Sequence, residues 1–223
     1  MRRSHLLALI AAAVSWPGLA LAADVKTVPI DKAFPYLAAY LALPAAERSR
    51  FYLAYRAVRD KHPALDARAT LIAASGVRTP LLFDRIGAVA RLPSLAEMKS
   101  AANVELDGAA FQLGIELRCT TAPSTRIDVA EIAASLAQVN SAVAKLAGAL
   151  SLIVPKLTTA FFPDAVGAQA LMNDGHVVAL PVYAAPMIGQ VPYIEPGAFA
   201  GAKMVMLARA PSRIVLGGHP KKA

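Results

Sequence analysis

The sequence predicts an α+β fold, mainly antiparallel β and sandwich-like, with one long amphipathic helix and a short N-terminal helix. Three observations carry that prediction. Phe111, Leu113, Ile115, Leu117 and Cys119 alternate with Gln112, Gly114, Glu116 and Arg118, the period-two pattern of a strand with one buried and one wet face, which antiparallel sheets allow. Over residues 128–154 the period changes. Val129, Ile132, Leu136, Val139, Val143, Leu146, Leu150 and Ile153 step by three and four, as the apolar stripe of a helix does. Turn signals such as Asp107-Gly108 and Asn173-Asp174-Gly175 then divide most of the remaining chain into short strands.

Residues 1–22 stand apart from this pattern. Arg2 and Arg3 precede an apolar run over residues 6–14, Pro17-Gly18 breaks it, and Ala20-Leu21-Ala22 has the small residues of a cleavage site. These are the parts of a secretory signal peptide, so the mature chain is expected to begin at Ala23, to be periplasmic or secreted, and to carry no transmembrane segment. Trp16, the only tryptophan, leaves with the leader.

The globular region is expected over residues 23–216. Phe34, Leu37, Tyr40 and Leu41 recur at helical spacing within residues 31–43, and Pro44 limits that helix. Residues 51–58 are rich in aromatic and branched side chains, which favours strand over helix. His62-Pro63 interrupts the chain, residues 68–73 return as a strand, and residues 80–83 and 88–92 form strands about a turn at 84–87. A loop or single helical turn at residues 94–100 leads to a strand at 104–106, which Asp107-Gly108 joins as a hairpin to residues 111–119. Asp128 and Glu131 can cap the long helix, and Pro155 follows it. Further strands are expected at residues 158–162, 167–172, 176–180, 203–208 and 212–216. This order allows two β lobes, about 48–124 and 156–216, joined by helix 128–154, with residues 217–223 a flexible tail. A weak echo between residues 82–93 and 171–181 fits either duplication or shared turn chemistry.

Composition limits the function. With residues 1–22 removed, Arg2 and Arg3 go but no acid, so the net charge falls from +8 to about +6. That sign suits anionic envelope components. Nucleic acid is a poor partner, because the charges are scattered rather than interleaved with aromatics. Arg48, Arg50, Arg56, Arg59 and Lys61 form the one dense basic stretch and are expected on a solvated surface. Cys119 is the only cysteine, so no intramolecular disulfide can form, and its place among alternating apolar residues suggests a small buried hydrophobe.

No catalytic, cofactor-binding or metal-binding residue is assigned. The glycine-flanked serine of hydrolases, the HExxH helix, and the phosphate-binding and dinucleotide-binding glycine patterns do not occur. His62, His176 and His219 lack the compact spacing of metal ligands. Asp84 and Asp174 occupy similar turns, where an aspartate ordinarily caps local amides. The better lead is the proline-rich stretch 181–201, where Tyr183, Met187, Ile188, Tyr193, Ile194 and Phe199 on an irregular segment offer a ligand or partner surface. The expected function is that of an exported, non-enzymatic binding or structural protein of the bacterial cell envelope, meeting an anionic component or another envelope protein. The alternative is an exported hydrolase with a site near His176 and the turn aspartates.

Overall fold

The computed structural model describes residues 25–60, 62–107, 111–147, 156–185 and 189–220. The leader at 1–22, Gly108, the expected helical turns at 148–154, Met187 and Ile188 lie outside the described residues.

The described chain opens with strand β1 (Lys26–Pro29), followed by two short helices, α1 (Ile30–Ala33) and α2 (Leu37–Ala42). The single helix expected over 31–43 is broken for a local reason. Pro35 disfavours helical backbone at Phe34, whose φ is −122°, and Tyr36 is left-handed at φ 67°. The break sends Phe34 into the core, edge-on to Tyr55 with ring centroids 5.0 Å apart.

A 3₁₀ turn (Ala45–Arg48) leads into β2 (Phe51–Arg59), a strand buried on both faces for most of its length. Burial on both faces is why its sequence shows no clean period. β3 (His62–Pro63), β4 (Arg68–Ile72) and β5 (Arg78–Leu81) follow. Residues 83–89 pair only through isolated bridges, Phe83 to Val89 and Ala88 to Arg56, rather than as the strand expected at 88–92. α3 (Leu95–Lys99) is closed by a reciprocal cap: Ser94 accepts from the Glu97 amide while the Glu97 carboxylate accepts from the Ser94 amide.

β6 (Asn103–Asp107) does not form a hairpin with β7 (Gln112–Cys119). It lies instead inside a four-stranded sheet of order β1-β6-β4-β5, where Val104 and Leu106 turn into the core and Glu105 pairs with Arg78. Two neighbours for β6 bury more apolar surface than one hairpin would, and the turn dipeptide does not record that choice.

β8 (Arg126–Asp128) runs directly into α4 (Val129–Ala147). Asp128 accepts from the Ala130 amide at 2.7 Å, whereas Glu131 turns outward to Arg50. Ile132, Leu136 and Val139 are buried along the stripe. Among the described residues no helix is long and apolar enough to cross a membrane.

The second half supplies β9 (Thr159–Phe161), β10 (Gln169–Met172), β11 (Val177–Ala179), β12 (Val182–Ala185), β13 (Gly189–Ile194), β14 (Ala202–Met206) and β15 (Val215–Gly217). Three of these strands make the sheet β11-β10-β14-β8 with β8, and the other four join the first half in a seven-stranded sheet, β12-β13-β9-β15-β7-β2-β3. Among the described residues every pairing is antiparallel. The fold is thus β-rich and sandwich-like, and strands from both sides of α4 share its largest sheet.

Most of the described part of the stretch expected as an irregular loop at 181–201 is paired strand, and only residues 195–201 are turns. β12 and β13 pair residue for residue from Val182 opposite Pro192 to Ala185 opposite Gly189. Pro192 has no amide to donate, but its carbonyl accepts from the Phe162 amide at 2.9 Å. Near the C-terminus Gly217 pairs with Thr159, and His219 meets Glu195.

Candidate functional site

The eight-residue register of β2 on β7 sets Tyr52 opposite Arg118, Ala54 opposite Glu116, and Arg56 opposite Gly114. Alternation along both strands points these side chains to one face, while Phe51, Leu53, Tyr55 and Ala57 take the other. β15 adds Val215 beside Arg118, and Arg213, two residues earlier, joins the same face. Three strands therefore deliver Arg56, Glu116, Arg118 and Arg213 to one place.

There they form a closed network about one carboxylate. Arg118 donates from Nε and Nη2 to Glu116 Oε2 at 2.9 and 2.7 Å. Arg213 donates from Nε to Oε2 at 3.1 Å and from Nη2 to Oε1 at 3.3 Å. Arg56 Nη2 lies 3.0 Å from Oε1. All three arginines are buried, at 3%, 7% and 4% exposure for Arg56, Arg118 and Arg213.

This overturns two expectations. The face of β7 expected to be wet carries the buried cluster, while Ile115, expected inside, is 38% exposed. In the basic stretch, Arg48, Arg50 and Arg59 make surface contacts, but Arg56 is interior. The cause is a cover that a strand's own sequence cannot show. The turn at 84–87 folds over Arg56, with the Ala57 amide donating to the Gly87 carbonyl and the Val89 amide to the Tyr55 carbonyl, both at 2.8 Å. Asp84 Oδ1 holds that turn by accepting from the Ile86 and Ala88 amides.

Burial pushes the Glu116 carboxyl up, but Arg213, Arg56 and Arg118 outweigh it and hold the group below the usual carboxylate range. Arg56 is driven down, first by burial and then by repulsion from Arg213 and Arg118, against the attraction of Glu116. Its Nε is buried without a hydrogen-bond partner.

The cluster borders a cleft of about 270 Å³. Its walls are Tyr52, the turn residues Asp84, Arg85 and Ile86, the chain leaving β7 at residues 118–123, and the chain entering β15 at residues 212–214. Three arginines (Arg85, Arg118 and Arg213) and Asp84 line the cleft, and Glu116 and Arg56 stand behind Arg118 and Arg213 in the buried cluster. Cys119 also borders the cleft, its Sγ held by Ser135 Oγ at 3.1 Å and Thr121 Oγ1 at 3.2 Å. The arrangement presents fixed positive charge and hydroxyl donors, the elements of an oxyanion site.

The residues singled out from the sequence lie elsewhere. Tyr183 and Tyr193 are half-buried against Phe161, with ring centroids 6.1 and 5.9 Å from it. Ile194 is buried, and Phe199 packs half-buried on the core. His176 bonds Asp174 at an exposed turn between β10 and β11, and Asp84 belongs to the arginine cleft, so the two turn aspartates serve different surroundings. Among the described residues no three His, Cys, Asp or Glu side chains gather to hold a metal. Sequence reasoning missed Arg56, Arg118 and Arg213. The available signal was an arginine inside an otherwise apolar strand, as Arg56 is between Tyr55 and Ala57.

No protein-family model, curated protein or solved structure matches the chain.

Proposed function

We propose that the protein is an exported, non-enzymatic binding protein of the bacterial cell envelope that takes an anionic component in the cleft walled by Arg118 and Arg213. The observation that carries this reading is the charge balance of the buried cluster, three guanidiniums about one carboxylate. Like charges taken out of water are costly unless a counter-charge meets them. Glu116 supplies one, and the cleft gives an external anion access to the remainder. The leader pattern at residues 1–22 supports export.

Calorimetric titration of the purified mature protein at low salt with phosphate, succinate and acetate tests the reading. At least one anion is expected to bind saturably, with affinity lost in Arg118→Ala. No binding by any of them overturns the proposal. Export is tested separately: the product recovered from the periplasm or medium should show no tryptophan fluorescence, since Trp16 is the only tryptophan.

A further inference from the structure

Resting on that reading, we infer that the ligand of this cleft is a phosphate monoester in its dianionic form, carried on a compact polar group. Charge is the first reason. The buried cluster holds a surplus of two positive charges, and the exposed pair Asp84 and Arg85 at the rim cancel each other. A carboxylate would neutralise one of the two. A phosphate monoester carries about −1.5 to −2 near neutral pH and presents three strong acceptor oxygens.

The free donors are the second reason. Both Nε and Nη2 of Arg118 are spent on Glu116, while its Nη1 makes no hydrogen bond among the described residues. Ser212 Oγ accepts from Arg213 Nη1 at 3.0 Å, and Thr121 Oγ1 accepts from Cys119 Sγ, so each hydroxyl keeps its own proton to donate. Thr120 is different, because its hydroxyl is already spent on the Ser49 carbonyl. One guanidinium edge and two hydroxyl-bearing residues lining one cleft, Arg118 and Thr121 on the chain leaving β7 and Ser212 on the chain entering β15, suit the several lone pairs of a tetrahedral oxyanion better than one planar carboxylate.

Size is the third. The cleft, about 270 Å³, stands just below the range of roughly 300–1,000 Å³ usual for small-molecule sites. That leaves space beside a phosphate for a group of sugar or glycerol size, and half-exposed Tyr52 offers a ring to it. The same chemistry occurs on a soluble phosphate ester and on a phosphomonoester lipid headgroup.

Titrating the mature protein with inorganic phosphate, glycerol 3-phosphate, succinate and acetate, and floating it with phosphatidylcholine vesicles with and without phosphatidic acid, separates these possibilities. The phosphate probes are expected to bind at least tenfold more tightly than either carboxylate. Their affinity should rise from pH 5.5 to 7.5 as the second phosphate proton leaves, near pH 6. The charged groups facing the ligand are Arg85, Arg118, Arg213 and Asp84, with Arg56 and Glu116 behind them, and among the described residues no histidine borders the cleft. Arg118→Lys should weaken phosphate binding about tenfold or more. Ser212→Ala and Thr121→Val, which leave the arginine cluster intact, should each weaken it by roughly 3- to 10-fold. Flotation only with phosphatidic acid assigns the lipid source, and binding of glycerol 3-phosphate without flotation assigns the soluble one. Carboxylate binding equal to phosphate, or a flat pH profile, overturns the phosphate assignment while the anion site stands. Silence from every anion removes both.

Discussion

Arg213 reaches Glu116 across 97 positions of chain and holds both of its carboxylate oxygens, Nε to Oε2 at 3.1 Å and Nη2 to Oε1 at 3.3 Å. That contact ties the segment entering β15 to the middle of β7, and Arg56 ties β2 to the same carboxylate. Glu116 is the only negative charge inside the cluster, so removing it leaves three buried guanidiniums facing one another. Breaking a buried pair by removing one partner costs about 3–5 kcal/mol. Glu116→Gln, which keeps the shape, should lose stability of that order in chemical denaturation, and added phosphate should recover part of it. A loss below about 1 kcal/mol would mean that water already screens the cluster.

The same carboxylate sets an acid limit. Its pKa lies below the ordinary value in the folded protein, while in the unfolded chain it titrates near about 4.3. The unfolded state then binds the proton first as pH falls. The stabilisation by Glu116 is fully present above the unfolded value and is lost as pH drops through the lower folded one. Melting temperatures should fall steeply below about pH 4. Glu97, Glu105, Asp66 and Asp174 are also lowered, by their own hydrogen bonds and ion pairs, so the wild-type curve is a composite. The difference between wild type and Glu116→Gln isolates the cluster: it should shrink toward pH 3. A difference that stays constant from pH 7 to pH 3 contradicts the mechanism.

Phe161 on β9 contacts both Tyr183 and Tyr193, tying the β12–β13 pair to the next strand of the seven-stranded sheet. Aromatic pairs at this separation couple by about 0.5–1.5 kcal/mol beyond their area. A double-mutant cycle between Phe161→Leu and Tyr183→Leu should return a coupling in that range. If the coupling is zero, Tyr183 is held by the sheet alone, and its side chain is free for the partner surface expected from the sequence.

What could be read from the chain was local, and what could not was long-range. The turn Asn173-Asp174-Gly175 joins β10 to β11 as expected, because Gly175 takes the positive φ that turn requires and Asp174 accepts from the His176 amide. The stripe of α4 was equally visible, since Ile132, Leu136 and Val139 meet the core through a fixed period. The partner of β6 was not, because Asp107-Gly108 advertises a hairpin and says nothing of β1, which is 77 positions from Asn103 at Lys26 and enters the sheet alongside it. The arginine cleft was hidden for a related reason. Glu116 and Arg118 carry the pattern of a wet face, and only the folded turn at 84–87 and distant Arg213 make that face interior.

Gly167 and Gly175 both have left-handed backbone, at φ 62° and 92°, but differ in what surrounds them. A Cβ at Gly167 would stand 2.9 Å from the Ala208 Cβ, where residues 166 and 208 are held together by the Ala208 amide bonding the Val166 carbonyl at 2.8 Å. At Gly175 nothing lies within 4 Å. Alanine at either site meets the backbone penalty of the left-handed region, about 1–2 kcal/mol. At Gly167 it must also push apart two hydrogen-bonded segments, and such overpacking costs a further 1–3 kcal/mol or so. Gly167→Ala should therefore destabilise the protein by at least about 1 kcal/mol more than Gly175→Ala in parallel denaturant titrations. Equal losses would show that the Val166 to Ala208 contact yields freely, and that the strand edge there is softer than its hydrogen bonding implies.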